Sequence, residues 1–136
     1  MENPLLSITI TNYNYGRFLP KNLDSILNQT FQDFEIIVVD DCSTDNSREI
    51  LRDYAQRDSR IRLVEHESNQ GLAESIIHAS DLARGRYLAH MDGDDWIVDP
   101  KAFELEVAVL EKDPEIAFVA PPHCAFNEAE LSLIHI

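Results

Sequence analysis

Asp92-Gly93-Asp94-Asp95 follows directly on the apolar run Tyr87-Leu88-Ala89-His90-Met91, so these acidic residues stand where a buried strand emerges. Side chains two apart on extended backbone point the same way. Asp92 and Asp94 therefore aim two carboxylates at one point, and Gly93 between them lets the backbone come close. Hard oxygen ligands placed in this way suit a divalent cation and the phosphates it bridges. Asp-Gly is also a common turn dipeptide, and a solvated acidic turn accounts for these four residues equally well.

Three other stretches carry residues that a plain connection would not need. Thr11-Asn12-Tyr13-Asn14-Tyr15-Gly16 is polar and aromatic, which suits a nucleobase stacked beside hydroxyl and amide groups, or simply a tyrosine-rich surface loop. In Asp40-Asp41-Cys42-Ser43-Thr44-Asp45-Asn46-Ser47 much of the polarity can serve to start a helix, with Asn46 and Glu49 spaced as a capping box. The pair Asp40-Asp41 is surplus to capping and can accept hydrogen bonds from a base or ribose. His66-Glu67-Ser68-Asn69-Gln70-Gly71 leads into a helix whose unpaired amino-terminal NH groups favour anions.

The elements that must position these residues alternate short apolar runs with helical patterns, the signature of βαβ units and a mostly parallel sheet. Five strands are predicted, over Leu5–Thr11, Phe34–Asp40, Ile61–Glu65, Arg86–Met91 and Ile116–Ala120. The run Ile36-Ile37-Val38-Val39 reads as a strand covered on both faces. Helices are predicted over Phe18–Gln29, around Ile50, Leu51, Tyr54 and Ala55, over Gly71–Ala83, and from Asp99-Pro100 through Phe103, Val107 and Leu110. Gly85 is expected to cap the third helix and Asp99 the fourth. In such sheets ligands bind beyond the carboxyl ends of the strands, which is where all four unusual stretches lie.

A chain of 136 residues with 44% apolar residues is one ordinary domain. Its formal charge of -14 argues against a nucleic-acid surface, which needs a basic stripe. Cys42 and Cys124 form neither a disulfide framework nor a metal spacing and are expected to be ordinary thiols. No stretch approaches the ~20 apolar residues of a membrane span. A cytoplasmic protein is expected, with membrane association left to segments beyond this chain.

The stretches Thr11-Asn12-Tyr13-Asn14, Ser25-Ile26-Leu27-Asn28-Gln29-Thr30, Asp33 through Asp45, Asn69-Gln70-Gly71, Gly85-Arg86-Tyr87 and Asp92-Gly93-Asp94-Asp95 follow one another between Ser7 and Val119. In order and spacing they resemble the amino-terminal half of the family 2 inverting glycosyltransferases. The resemblance implies the GT-A fold, an α/β three-layer arrangement of a mostly parallel sheet with helices on both faces. It also implies transfer of a sugar from a nucleotide diphosphate, uridine diphosphate foremost, to an acceptor hydroxyl with inversion.

Carried over by position, Thr11 and Tyr13 hold the nucleoside, Asp41 accepts from the base NH, and Asp40 supports that loop or reaches the ribose. Asn69 and Gly71 join the donor-binding set. Asp92 and Asp94 match the Asp-x-Asp motif, with Asp94 on Mn2+ or Mg2+ and Asp92 on the ribose or the metal. Two positions depart from the pattern: Thr11-Asn12 replaces a proline-containing turn, and Cys42 stands where glycine is usual. A diphosphate contact from Arg84 or Arg86 is a minor alternative to capping or solvation.

The resemblance places the general base downstream, in the acceptor-binding half, so no residue here is assigned that role. The chain is expected to bind donor without transferring sugar. The acceptor, whether saccharide, lipid-linked or cell-wall, is not legible. Two other readings are a non-catalytic nucleotide-sugar-binding remnant and a sugar nucleotidyltransferase, though Asn12 to Phe18 lacks the Gly-rich basic loop of the latter. Residues 1–126 are read as the nucleotide-sugar-binding part. Residues 127–136, ending Leu131-Ser132-Leu133-Ile134-His135-Ile136, read either as the tail of a broken reading frame or as a short element packing back on the sheet.

Overall fold

A computed structural model describes residues 2–120 in full and the backbone of 124–127 and 132–135. The elements run β1 (Leu6–Asn12), α1 (Leu19–Leu27), β2 (Phe34–Asp40), α2 (Ser47–Arg57), β3 (Ile61–Glu65), α3 (Leu72–Asp81), β4 (Tyr87–Asp92), α4 (Ala102–Lys112), β5 (Cys124–Asn127) and β6 (Ser132–His135). Four parallel strands form one sheet in the order β3-β2-β1-β4. The chain thus builds outward from β1 to β3 and then returns to the opposite side of β1. That reversal opens a crevice at the carboxyl ends of β1 and β4.

Every residue of β1 and β2 is buried, as the unbroken Ile36–Val39 run requires of a strand covered on both sides. On one face Leu6, Ile8, Ile10, Ile36 and Val38 pack with Leu19, Leu23 and Ile26 of α1, Leu51 and Tyr54 of α2, and Phe103 and Val107 of α4. On the other, Ile37 and Val39 pack with Ala79 of α3. The β1 residues of that second face are Ser7, Thr9 and Thr11, all buried and all hydrogen-bonded. The sheet is therefore apolar toward α1, α2 and α4 but carries a polar rib along its middle strand toward α3.

Glu35 closes the rib at its far end. Its carboxylate accepts from Ser7 Oγ at 2.7 Å and from Arg84 through the backbone N at 2.8 Å and two guanidinium nitrogens at 3.0 and 2.7 Å. Burial pushes this carboxyl up, but the bonds from Ser7 and Arg84 outweigh it and hold it below the usual carboxylate range.

Several expectations are corrected. Residues 116–120 form no strand, and Phe118 is 79% exposed; an apolar run becomes a strand only where a neighbouring strand takes its NH and C=O groups. Asn46 makes no side-chain cap to α2; Asp45 Oδ1 accepts from Ser47 N at 2.9 Å in its place. The residue just ahead of α4 is Lys101, two residues later than the expected Asp99, whose Oδ1 accepts from Lys101 N at 2.9 Å in the turn before the helix. Gly85 caps nothing: a Cβ there would lie 2.6 Å from Ser7 N, so the glycine serves close approach to β1. Arg84 pairs with Glu35 and Arg86 with Glu111, and neither lines the cleft at the strand ends.

β5 and β6 pair antiparallel with each other in a separate two-stranded sheet. Pro121–His123, Glu128 to Leu131 and the side chain of Cys124 lie outside the described residues.

Candidate functional site

At the carboxyl ends of β1 and β4 lies a cleft of about 400 Å³ lined by Thr11, Asn12, Tyr13, Tyr15, Asp41, Asn69, Gly71, Leu72, Ser75 and Asp92. Of the residues singled out from sequence, Thr11, Tyr13, Asp41, Asn69, Gly71 and Asp92 line it. Asp94 belongs to the same corner through the carboxylate group described below. Asp40 does not line it.

Asp40 is fully buried beneath the loops. Its two oxygens accept from Asn12 Nδ2 at 2.8 Å, Ser43 Oγ at 2.6 Å, Ser43 N at 3.0 Å and Arg48 Nε at 2.9 Å. Those four bonds fill the acceptor capacity of a carboxylate, so Asp40 supports the loop, the first of its two expected roles. Asn14 completes the same knot from the other loop, with its Oδ1 accepting from Thr44 N at 2.8 Å and Asp45 N at 3.2 Å. Both Asn14 (φ 59°) and Cys42 (φ 64°) adopt left-handed backbone. Asn tolerates that conformation through its local hydrogen bonds, whereas Cys42 has one weak bond, from Sγ to Glu67 O at 3.5 Å. The glycine expected at position 42 thus has a conformational reason.

Asp41, on the cleft side, is tied down from three directions. It accepts from Gln70 N at 2.7 Å, Gly71 N at 2.9 Å and His66 Nδ1 at 3.0 Å. Burial raises its carboxyl, but these bonds together with the nearby His66 draw it below the ordinary value. The anion attracted by the amino end of α3 is therefore Asp41 itself. Gly71 itself is the residue just ahead of α3 and has a φ of 93°, backbone that favours glycine. His66 is buried and shares a 2.9 Å hydrogen bond with His78, the two rings lying within 8° of parallel with centroids 5.2 Å apart.

The acidic turn closes the cleft on the β4 side. Asp92, Asp94 and Asp95 each bring a carboxylate oxygen within 4.8 Å of the others. Asp95 extends the pair expected from sequence to three. All-oxygen donors gathered this closely fit a hard divalent cation such as Mn2+ or Mg2+, so the residues present suit the metal that the motif implies. Their combined field reaches the cleft: Asp94, then burial, then Asp92 and Asp95 raise the hydroxyl of Tyr15 above its usual value. Tyr15 stands edge-on to Phe18, with ring centroids 6.4 Å apart.

Sequence reasoning missed Leu72, Ser75 and the separate standing of Tyr15. Leu72, in the first turn of α3, is 58% exposed and lines the cleft, an exposure that an apolar residue type gives no sign of. Trp96 lies under the Lys21 ammonium, 3.9 Å from its ring centroid.

The family model for glycosyl transferase family 2 matches residues 7–134. The chain belongs to that family. Among family 2 relatives, it is 45% identical over 94 residues to the uncharacterized glycosyltransferase EpsJ of Bacillus subtilis, covering 69% of this chain and 27% of that protein. It is 37% identical over 132 residues to TuaG of the same organism, named for teichuronic acid biosynthesis, covering 96% of this chain and 48% of that protein. The chain thus spans between about a quarter and a half of these relatives' length.

Solved glycosyltransferases superpose on it as GT-A folds. TarS of S. aureus in complex with UDP-GlcNAc gives a TM-score of 0.73 at 27% identity, covering 79% of this chain and 31% of that one. The mannosyltransferase PcManGT of Pyrobaculum calidifontis, in complex with GDP-Man and Mn2+, gives 0.76 at 25% identity, covering 85% and 34%. No helix among the described residues is long and apolar enough to cross a membrane.

Proposed function

We propose that this chain is the donor-binding half of a cytoplasmic glycosyltransferase that moves a sugar from a nucleotide diphosphate, uridine diphosphate foremost, to an acceptor hydroxyl with inversion. The observation that carries the proposal is the convergence of Asp92, Asp94 and Asp95 at one corner of a cleft whose other walls are Tyr13, Tyr15 and Asp41. In this reading the exposed ring of Tyr13 stacks on the base, and Asp41, already oriented by Gln70, Gly71 and His66, offers its remaining lone pair to a base NH. Thr11 and the Asn69–Gly71 turn close on the nucleoside. Asp92 reaches the ribose or the metal.

Asp94 and its neighbours would hold Mn2+ or Mg2+, which supplies Lewis-acid neutralisation of the charge that develops on the departing diphosphate. The carboxylates themselves attack nothing; they fix the position of the leaving group. Deprotonation of the acceptor needs a general base in line with that bond, and the proposal assigns it to no described residue. The acceptor would be a saccharide, a lipid-linked sugar or a cell-wall polymer, a range consistent with the name of TuaG.

Calorimetric titration of uridine diphosphate with Mn2+ tests the reading. Wild-type chain should bind and Asp94→Ala should lose the metal-dependent part with its far-ultraviolet circular dichroism unchanged. Equal Mn2+-dependent binding by both proteins would overturn the metal assignment.

A further inference from the structure

The acidic turn is also held through its backbone, by a side chain of α1. Asn22, at the middle of α1, is fully buried. Its Nδ2 donates to Asp92 O at 3.1 Å and to Asp95 O at 2.8 Å, so one amide spans the turn from its first residue to its last. Its Oδ1 has no hydrogen-bond partner among the described residues. Reversing the amide would set that oxygen against two carbonyl oxygens, so the two acceptors dictate the orientation. A buried acceptor is thus left unsatisfied so that both donors can serve the turn.

Asn22 heads a stripe. Ser25 and Gln29 follow at spacings of three and four, which keeps them on one face of the helix or just past its end. Ser25 Oγ accepts from Ile97 N at 3.0 Å. Gln29 Nε2 donates to Asp99 O at 2.8 Å, and its Oε1 accepts from Phe103 N at 3.1 Å. The irregular segment between β4 and α4 therefore takes its backbone partners from one polar face of α1, and only the Asn22 contacts fall on the carboxylate-bearing turn.

We propose that Asn22 is a positioning residue for the divalent-cation site: it clamps the peptide carbonyls of Asp92 and Asp95 so that the carboxylates of Asp92, Asp94 and Asp95 converge before the metal arrives. This rests on the metal reading above. A ligand set fixed in advance loses less freedom on binding than one that must assemble around the ion. Ser25, one turn further along, holds the segment beyond the carboxylates and fixes the course of the chain without setting their geometry.

The test measures Mn2+ affinity from the loss of the free-ion electron paramagnetic resonance signal, in the presence of uridine diphosphate, for wild type, Asn22→Ala, Asn22→Ser, Ser25→Ala and Asp94→Ala. Nucleotide affinity in chelator and melting temperature are read in parallel. Asn22→Ala should weaken Mn2+ about 10-fold, within the range seen when the partners of metal ligands are removed, with metal-free nucleotide affinity unchanged. Asn22→Ser, which keeps one donor and a folded core should alanine not be tolerated, should fall between. Ser25→Ala should lower the melting temperature while keeping wild-type Mn2+ affinity.

Equal Mn2+ loss in the Asn22 and Ser25 variants, or none in the Asn22 variants, would overturn the positioning role and leave the metal site standing. Wild-type Mn2+ affinity in Asp94→Ala, or no Mn2+ binding by wild type, would overturn the metal reading and this inference with it.

Discussion

The hydroxyl of Thr11 donates to Asp92 Oδ1 across the β1–β4 pair at 3.0 Å. Next to it on β1, Asn12 donates to Asp40 at 2.8 Å across the β1–β2 pair. The two residues that replace the expected proline-containing turn thus each steady one carboxylate of a flanking strand. Thr11→Val keeps the shape and removes the donor. It should cost about 1 kcal/mol, or roughly fivefold in Kd for a nucleotide bound through Asp92, as read by calorimetry with uridine diphosphate and Mn2+.

Glu35 and Asp41 are buried carboxylates whose folded values lie below the ordinary range. Groups shifted in that direction stabilise the fold fully above their unfolded pKa of about 4 and lose the contribution as pH falls through the folded value. Urea midpoints should therefore be nearly level from about pH 7 to pH 5 and fall steeply below about pH 4. Glu35→Gln should be less stable at neutral pH yet show a shallower acid limb. An acid limb as steep as wild type would show that Glu35 contributes nothing to it.

Cys42 occupies left-handed backbone at φ 64°, a conformation costing a non-glycine residue about 1–2 kcal/mol. Glycine relieves this but loses about 0.5–1 kcal/mol to its freer unfolded chain and gives up the weak Sγ bond to Glu67 O. Cys42→Gly should raise stability by up to about 1 kcal/mol, and Cys42→Val, with its branched Cβ, should lower it by more than that. Thermal melts of the two variants should bracket wild type.

Gly85 separates two accounts of one residue. As a helix cap it would need positive φ, and an alanine there would be strained by its own backbone. In the structure the only positive-φ glycine is Gly71 among the described residues, and a Cβ on Gly85 would strike Ser7 N at 2.6 Å and Leu6 C at 2.9 Å. Gly85→Ala should cost about 1–3 kcal/mol as overpacking. Gly85→Asn separates the accounts in thermal melts: asparagine tolerates left-handed backbone and would rescue a cap, whereas contact with the backbone atoms Ser7 N and Leu6 C makes it at least as costly as alanine.

The four parallel strands were legible because each is an apolar run bounded by polar residues, and the positions just past those runs proved to be the cleft. What sequence could not supply was partnership across distance. Ile116–Ala120 has a strand's composition and no strand beside it; the cap expected of Asn46 passes to its neighbour Asp45, and at α4 the distant Gln29 takes the Phe103 N. Asn22 looks like one more polar residue on an amphipathic helix, because the carbonyls that explain it lie 70 and 73 residues further on. Asp40 and Asp41 are adjacent and chemically alike, yet the strand ends between them, so one turns beneath the loops and the other toward the cleft.

The return of β4 to the far side of β1 also sets an order of events during synthesis. Thr11 must wait for a partner 81 residues away, a delay of roughly 4–16 s at ribosomal speeds of about 5–20 residues per second. Until then β1 and β2 can pair while one edge of β1 stays open, and such edges invite wrong partners. The acidic turn is thus the last part of the cleft to be assembled, and a nascent chain stalled before β4 would display the nucleoside-side residues with no means of gripping a diphosphate.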